Sequence, residues 1–288
     1  MMTKFSILIA HYNNFHYFQD CYKSILGQTF QEFEVVILDD CSTDDSFAQV
    51  KELVKTDQRF KVFQNEENRG VGYTKGKLIE LATGDLCGFL DPDDAITPTA
   101  LQDAIDVFSE KIVAVYSKIQ ICDKELKYKG LFPNQRQVKN ANPYFFNIFF
   151  EANHFFVFRK SAYEKTEGIN ENLTSAVDQD LYLKLYETGD FKFISKPNYL
   201  YRIHEKGVSQ EKSKKDKLNK NWHYVLLETL KRRKIIQLYG KNVAEIENLP
   251  KFIFEKENCK IINKIKGGVR KIQSLMVIIV KMITLKSQ

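Results

Sequence analysis

An α/β fold on a mainly parallel, Rossmann-like sheet is what this sequence predicts, and three observations lead there. Apolar runs rich in β-branched and aromatic residues recur at Phe5–Ala10, Glu34–Leu38 and Leu86–Leu90, as expected of strands buried on both faces. Segments with helical spacing lie between them, and that alternation is the pattern of a parallel sheet covered by helices. Polar clusters follow each run, where the strand ends of such sheets gather ligand-binding loops.

The first run closes at His11, and Phe18, Tyr22, Ile25 and Leu26 then repeat at helical spacing. The second precedes Phe47, Val50, Leu53 and Val54, which mark another helix. Lys61–Gln64 is a weaker strand candidate, and Leu78, Ile79 and Leu81 mark a third helix before Leu86–Leu90. Val113–Ile121 reads as a further strand. The aromatic-rich stretch Asn142–Phe158 contains His154, which either belongs to core or a lid, or lines a binding site beside Asn153. Ala176–Glu187 predicts a helix with Val177, Leu181 and Leu185 on one face and Gly189 as its C-cap. Phe191–Ile194 and Tyr199–His204 follow, separated by a break at Lys196 and Pro197. A basic tail begins at Lys206 and includes the cluster Lys231–Lys234.

At 288 residues the chain is one large domain or a domain with an appendage. Its 43% hydrophobic and 28% charged residues, with 13 Gly and 6 Pro, exclude collagen-like and wholly disordered classes. Residues 1–204 hold 23 Lys+Arg against 29 Asp+Glu, whereas residues 205–288 hold 20 against 8. An acidic front argues against a nucleic-acid groove, while the basic tail suits an anionic surface. Five cysteines, odd in number and without a C-x-x-C pair, argue against zinc and against a disulfide framework. No export-signal pattern is visible, and Leu275–Val280 continuing to Leu285 is shorter than the ~20 residues a spanning helix needs. The expectation is therefore a cytoplasmic protein, at most peripheral on the inner face of the membrane.

Asp91-Pro92-Asp93-Asp94 places three carboxylates within four residues of a strand end, where they repel one another unless a cation or several donors compensate. Mg²⁺ or Mn²⁺ is a natural partner, since such ions take one or two carboxylates and fill other positions with water and phosphate oxygens. The structural alternative is an Asp-Pro turn in which Asp94 or Thr97 caps the helix of Leu101 and Ile105. The cluster Asp39–Asp45 likewise reads either as a second acidic strand end or as helix capping by Ser42 or Asp44. Two such clusters at parallel strand ends should meet in one crevice.

The runs Phe5–Asn13 (FSILIAHYN), Ser24–Phe30 (SILGQTF) and Glu34–Asp44 (EVVILDDCSTD) resemble the start of family 2 glycosyltransferases with a GT-A fold. Asn68–Gly72, Ala82–Asp94, Gly168–Leu173, Val177–Leu185 and Tyr201–His204 continue that resemblance over about residues 3–205. It implies a GT-A glycosyltransferase domain over 1–205, with a nucleotide-sugar half of about 1–120 and an acceptor half of about 121–205. A basic helical region, 206–288, would follow. By the same resemblance Tyr12 stacks on the base of a nucleoside diphosphate sugar, usually a UDP-sugar, and Asp40 hydrogen-bonds it. Lys75 falls near the nucleotide, where the family often has Arg. Asp91 and Asp93 are the ends of a DxD motif, Asp91 toward the ribose and Asp93 on a divalent metal, Mn²⁺ or Mg²⁺, whose site His204 completes. Asp178 takes the place of the catalytic base. Two departures are Val177-Asp178 where the family often reads Glu-Asp, and Thr74-Lys75-Gly76 in place of Ala-Arg-Asn.

These roles suit the chemistry. A metal on Asp93 would neutralise the leaving diphosphate, and a carboxylate on the opposite face would accept the acceptor hydroxyl proton. With no nucleophile assigned behind the sugar, single displacement with inversion is expected. The acceptor implied is a saccharide, free or lipid-linked. Asp180 is either a second functional acid or a first-turn residue favoured by the helix dipole. The segment Ile272–Leu285 either lies on an anionic leaflet or packs on the catalytic domain. The alternatives are a nucleotidyltransferase, against which the Gly-free His11–Asn14 loop counts, and a non-catalytic nucleotide-sugar or membrane-binding module.

Overall fold

The computed structural model describes residues 4–205 and 215–265. Two compact units divide the chain, Met1–Glu205 and Lys206–Gln288. In the first, β1 (Phe5–His11), β2 (Phe33–Asp39), β3 (Phe60–Gln64) and β4 (Leu86–Phe89) pair in parallel in the order β3-β2-β1-β4. Burial on both faces explains their near-continuous apolar runs. Phe5, Ile7, Ile9, Val35 and Ile37 join Phe18 and Ile25 of α1 (Phe15–Leu26) and Val50 of α2 (Ser46–Val54) in one core. Against β1 and β2 packs α3 (Val71–Leu81).

Beyond β4 the sheet turns mixed. The two-residue β5 (Ala95–Ile96) and α4 (Ala100–Ile105) precede the long β6 (Ile112–Cys122) and its hairpin partner β7 (Tyr128–Leu131). Between β4 and β6 runs β8 (Phe156–Arg159), antiparallel to both; α5 (Lys160–Tyr163) and α6 (Val177–Tyr186) follow. The last strand, β9 (Asp190–Arg202), lies parallel to β6 and antiparallel to β5. The sheet order is β3-β2-β1-β4-β8-β6-β9-β5, so the parallel reading holds for the first half and for β6–β9.

Two local expectations change. β9 does not break at Pro197: the strand continues, and the register with β6 slips around Lys118, the partner of Pro197. A proline has no N–H to give to the ladder, and an irregularity absorbs that loss. Gly189 is not the C-cap of α6, a place that Glu187 takes. A Cβ at Gly189 would lie 2.5 Å from Val113 Cγ1, so the residue is small because β6 approaches it.

The second unit contains α7 (Lys215–Arg232), a hairpin of β10 (Gln237–Leu238) and β11 (Lys241–Asn242), and α8 (Leu249–Ile265). The expected leaflet helix Ile272–Leu285 lies outside the described residues.

Candidate active site

The turn after β4 hangs on β9. Asp94 is buried, and its carboxylate accepts hydrogen bonds from the Tyr199 hydroxyl (2.6 Å) and the Arg202 backbone N–H (2.7 Å). Arg202 Nε donates to the Asp93 carbonyl (2.6 Å). Burial, then the neighbouring Asp93 and Asp91, push the Asp94 carboxyl well above the usual range. This corrects the capping expectation: Thr99 precedes α4, while Asp94 anchors the turn. Asp91 and Asp93 are left facing outward, their side chains 33% and 24% exposed.

Asp93 Oδ2 lies 2.8 Å from His204 Nε2, just beyond the end of β9. The ring of Tyr17 sits 4.4 Å from that imidazole and also under the Arg202 guanidinium, 4.7 Å away. Carboxylate oxygen and imidazole nitrogen are both suitable ligands for Mn²⁺, and His204 Nδ1 is buried without a partner among the described residues. No group of three or more His, Cys, Asp or Glu side chains among the described residues is arranged to hold a metal ion by itself. A two-ligand set fits an ion that draws its remaining ligands from water and a diphosphate.

On the other side of Asp91 stands the sequence-distant Asp178. Lys75, projecting from α3 and 5% exposed, places Nζ 2.7 Å from Asp178 Oδ1 and 3.6 Å from Asp91 Oδ1. Burial works to lower the Lys75 ammonium and to raise the Asp178 carboxyl, but their mutual attraction outweighs both effects. Asp178 is thereby held ionised, below the usual carboxylate range, with His154 adding to the pull of Lys75. His154 Nε2 lies 3.8 Å from Asp91 Oδ2 and 3.9 Å from Asp178 Oδ2. This four-group cluster joins residues from α3, the DxD turn, the loop before β8 and the first turn of α6.

Tyr12 and Asp40 stand beyond β1 and β2. The two loops are tied by Asn13, whose side chain accepts from the Thr43 backbone and donates to the Thr43 hydroxyl. Tyr12 is 43% exposed. Asp40 accepts hydrogen bonds from the backbone N–H groups of Arg69 and Gly70 and from the Asn65 amide, each at 2.8 Å. Its carboxylate therefore organises the start of α3. Because β1 lies between β2 and β4, the ends bearing Tyr12, Asp40 and Asp91 are neighbours.

Asp180 faces away from the four-group cluster's contacts: it pairs with Lys184 (2.9 Å) and accepts from the Asn170 N–H (2.9 Å). The sequence reading missed Tyr17 and Tyr199, both apolar-looking in their segments. Arg202 lies inside the Tyr201–His204 segment, yet its tie to the Asp91–Asp94 turn depends on a contact across 109 residues.

The chain is 32% identical over 258 residues to a chondroitin synthase of Escherichia coli, covering 87% of this chain and 36% of that protein's length. It is 29% identical over 208 residues to the GalNAc(5)-diNAcBac-PP-undecaprenol beta-1,3-glucosyltransferase of Campylobacter jejuni, covering 70% of this chain and 65% of the relative. Among solved structures, S. aureus TarS 1-349 in complex with UDP-GlcNAc superposes with a TM-score of 0.65 at 25% identity, covering 79% of this chain and 66% of that one. The family model described as Glycosyl transferase family 2 matches residues 6–166, and the chain belongs to that family.

Proposed function

We propose that this glycosyltransferase moves a sugar from a UDP-sugar to a saccharide, free or lipid-linked, by a single inverting displacement that uses a divalent metal. The observation that carries this reading is the meeting of Asp178 with Asp91, the first member of the turn that also bears Asp93. A candidate base and a candidate leaving-group site are thus brought to one turn, Lys75 and His154 facing both Asp178 and Asp91. The nucleotidyltransferase and non-catalytic alternatives give way to the family membership. UDP as carrier is supported by the TarS complex, and a lipid-linked acceptor by the Campylobacter relative's name.

Asp93 and His204 would hold the ion, Mn²⁺ or Mg²⁺, which when bound neutralises charge on the departing diphosphate. Tyr12 and Asp40 receive the nucleoside, and Asp91 the ribose. Asp178 Oδ2, the oxygen not bound to Lys75, accepts the acceptor hydroxyl proton, a contribution of about 10²–10⁴-fold. Lys75 keeps that carboxylate ionised and aimed beside the nucleotide. The catalytic machinery is assigned to 1–205, and the basic 206–288 region to contact with an anionic cytoplasmic membrane face. No helix among the described residues is long and apolar enough to cross a membrane.

The test is hydrolysis and transfer with a panel of UDP-sugars, with and without Mn²⁺, joined to calorimetry with UDP and Mn²⁺. Asp93→Asn should lose metal-dependent UDP binding, whereas Asp178→Asn should bind UDP as the wild type does and transfer nothing. Intact binding and transfer in both variants would refute the assignment.

A further inference from the structure

His154 is held more firmly than a loop residue needs to be. Its ring stacks on Tyr199 at 5.0 Å and 19°, and Tyr199 is itself fixed by its hydrogen bond to Asp94. The backbone N–H of His154 donates to Asn153 Oδ1 (2.9 Å). Yet neither ring nitrogen has a hydrogen-bond partner among the described residues: Nδ1 is buried alone, and Nε2 lies beyond hydrogen-bond reach of either carboxylate it faces. A proton on Nδ1 would be a buried, unsatisfied donor, whereas one on Nε2 points toward two negative oxygens. The Nε2–H tautomer is therefore favoured. The result is a rigid, unused donor aimed into the gap between Asp91 and Asp178, whose side chains are each 33% exposed.

We infer that His154 Nε2–H binds a sugar hydroxyl oxygen at the point where donor and acceptor meet; this rests on the transfer reaction proposed above. The chemistry fits a hydroxyl. An oxygen in that gap can accept from Nε2 while its own proton is given to Asp91 or Asp178, so one hydroxyl satisfies both kinds of group. A phosphate would bring its charge against two carboxylates and is disfavoured there. The hydroxyl belongs either to the transferred sugar or to the acceptor, and the two sources separate experimentally.

The experiment uses the full chain with Mn²⁺, measuring hydrolysis of UDP-GlcNAc and UDP-glucose and transfer to chondroitin and hyaluronan oligosaccharides, for wild type, His154→Ala and His154→Gln. Gln retains a donor near the Nε2 position. UDP affinity by calorimetry should stay within twofold in both variants, which reports an intact nucleotide site. His154→Ala should lose about tenfold, the value of one hydrogen bond, with Gln restoring most of it. Loss in both hydrolysis and transfer assigns the hydroxyl to the transferred sugar; loss in transfer alone assigns it to the acceptor. Wild-type rates in His154→Ala, or no recovery in His154→Gln while UDP binding is intact, overturn the assignment and leave the transferase reading standing. A wild type that turns over no UDP-sugar of the panel above removes that reading and this inference together.

Discussion

Lys75 is the residue at which the site's electrostatics turn. It is a buried cation whose charge is matched by Asp178 and Asp91, and neither partner could be inferred from its surroundings in sequence. Lys75→Met should destabilise the fold by about 2–3 kcal/mol, less than a fully buried pair because both carboxylates keep one-third exposure. Chemical denaturation checks this. The same change should move the acidic limb of kcat/KM to higher pH. The sign follows because the ammonium favours ionised Asp178, so its removal lets this proposed base hold its proton to a higher pH, with His154 and Asp91 still facing it. A limb that stays in place would disconnect Lys75 from the group that sets it. The Asp91–Asp94 cluster stood out in the sequence because three acids in four positions repel one another; the contacts of Tyr17 and Tyr199 with it did not, since an aromatic ring in a strand or helix usually means core.

Among elements, the strands buried on both faces were the most legible. Their apolar runs mark β1, β2 and β4 closely, whereas β5 has only two residues and β9 hides its continuity behind Pro197. One buried carboxylate staples the legible strands. Glu34 in β2 accepts from Ser6 in β1, Lys61 in β3 and both polar groups of Thr83 ahead of β4. Burial alone would raise its pKa; Lys61, Ser6 and Thr83 reverse that and hold it down to about 2. A depressed carboxylate contributes stability present above its ordinary value of 4.5 and lost as pH falls toward 2. Glu34→Gln should therefore cost about 1–3 kcal/mol at neutral pH and flatten the stability profile over that window, as read by urea titration at several pH values. A second element-level contact joins α3 to the loop before α6. Gly72 donates its N–H to the Leu173 carbonyl (3.1 Å), and a Cβ there would lie 2.5 Å from that oxygen. Gly72→Ala should displace the loop that leads to Asp178, costing about 1–3 kcal/mol and lowering kcat more than UDP affinity. Equal kcat in the variant would mean that the loop does not set the position of Asp178.

Over the whole molecule, the charge split is the feature that sequence alone reveals best: net negative through residue 204 and strongly positive after it. Deleting residues 271–288 should release the protein from vesicles containing anionic lipid while leaving UDP binding unchanged. Co-sedimentation equal to that of the full chain would assign the basic region another role. The GT-A class was legible because ordered motifs recur from Phe5 to His204, but the antiparallel entry of β8 was not, since a four-residue strand carries no mark of its direction.

The reach of α3 also limits how relatives can be recombined. Through Gly72 and Lys75 this single helix, in the first third of the chain, touches both the approach to α6 and its leading acid. A hybrid joined near residue 120 would set one parent's helix against the other's loop, severing the ammonium–carboxylate match and the close backbone fit in one cut. The segments before and after residue 120 are thus not interchangeable cassettes, and a working chimera must inherit both flanks from the same ancestor.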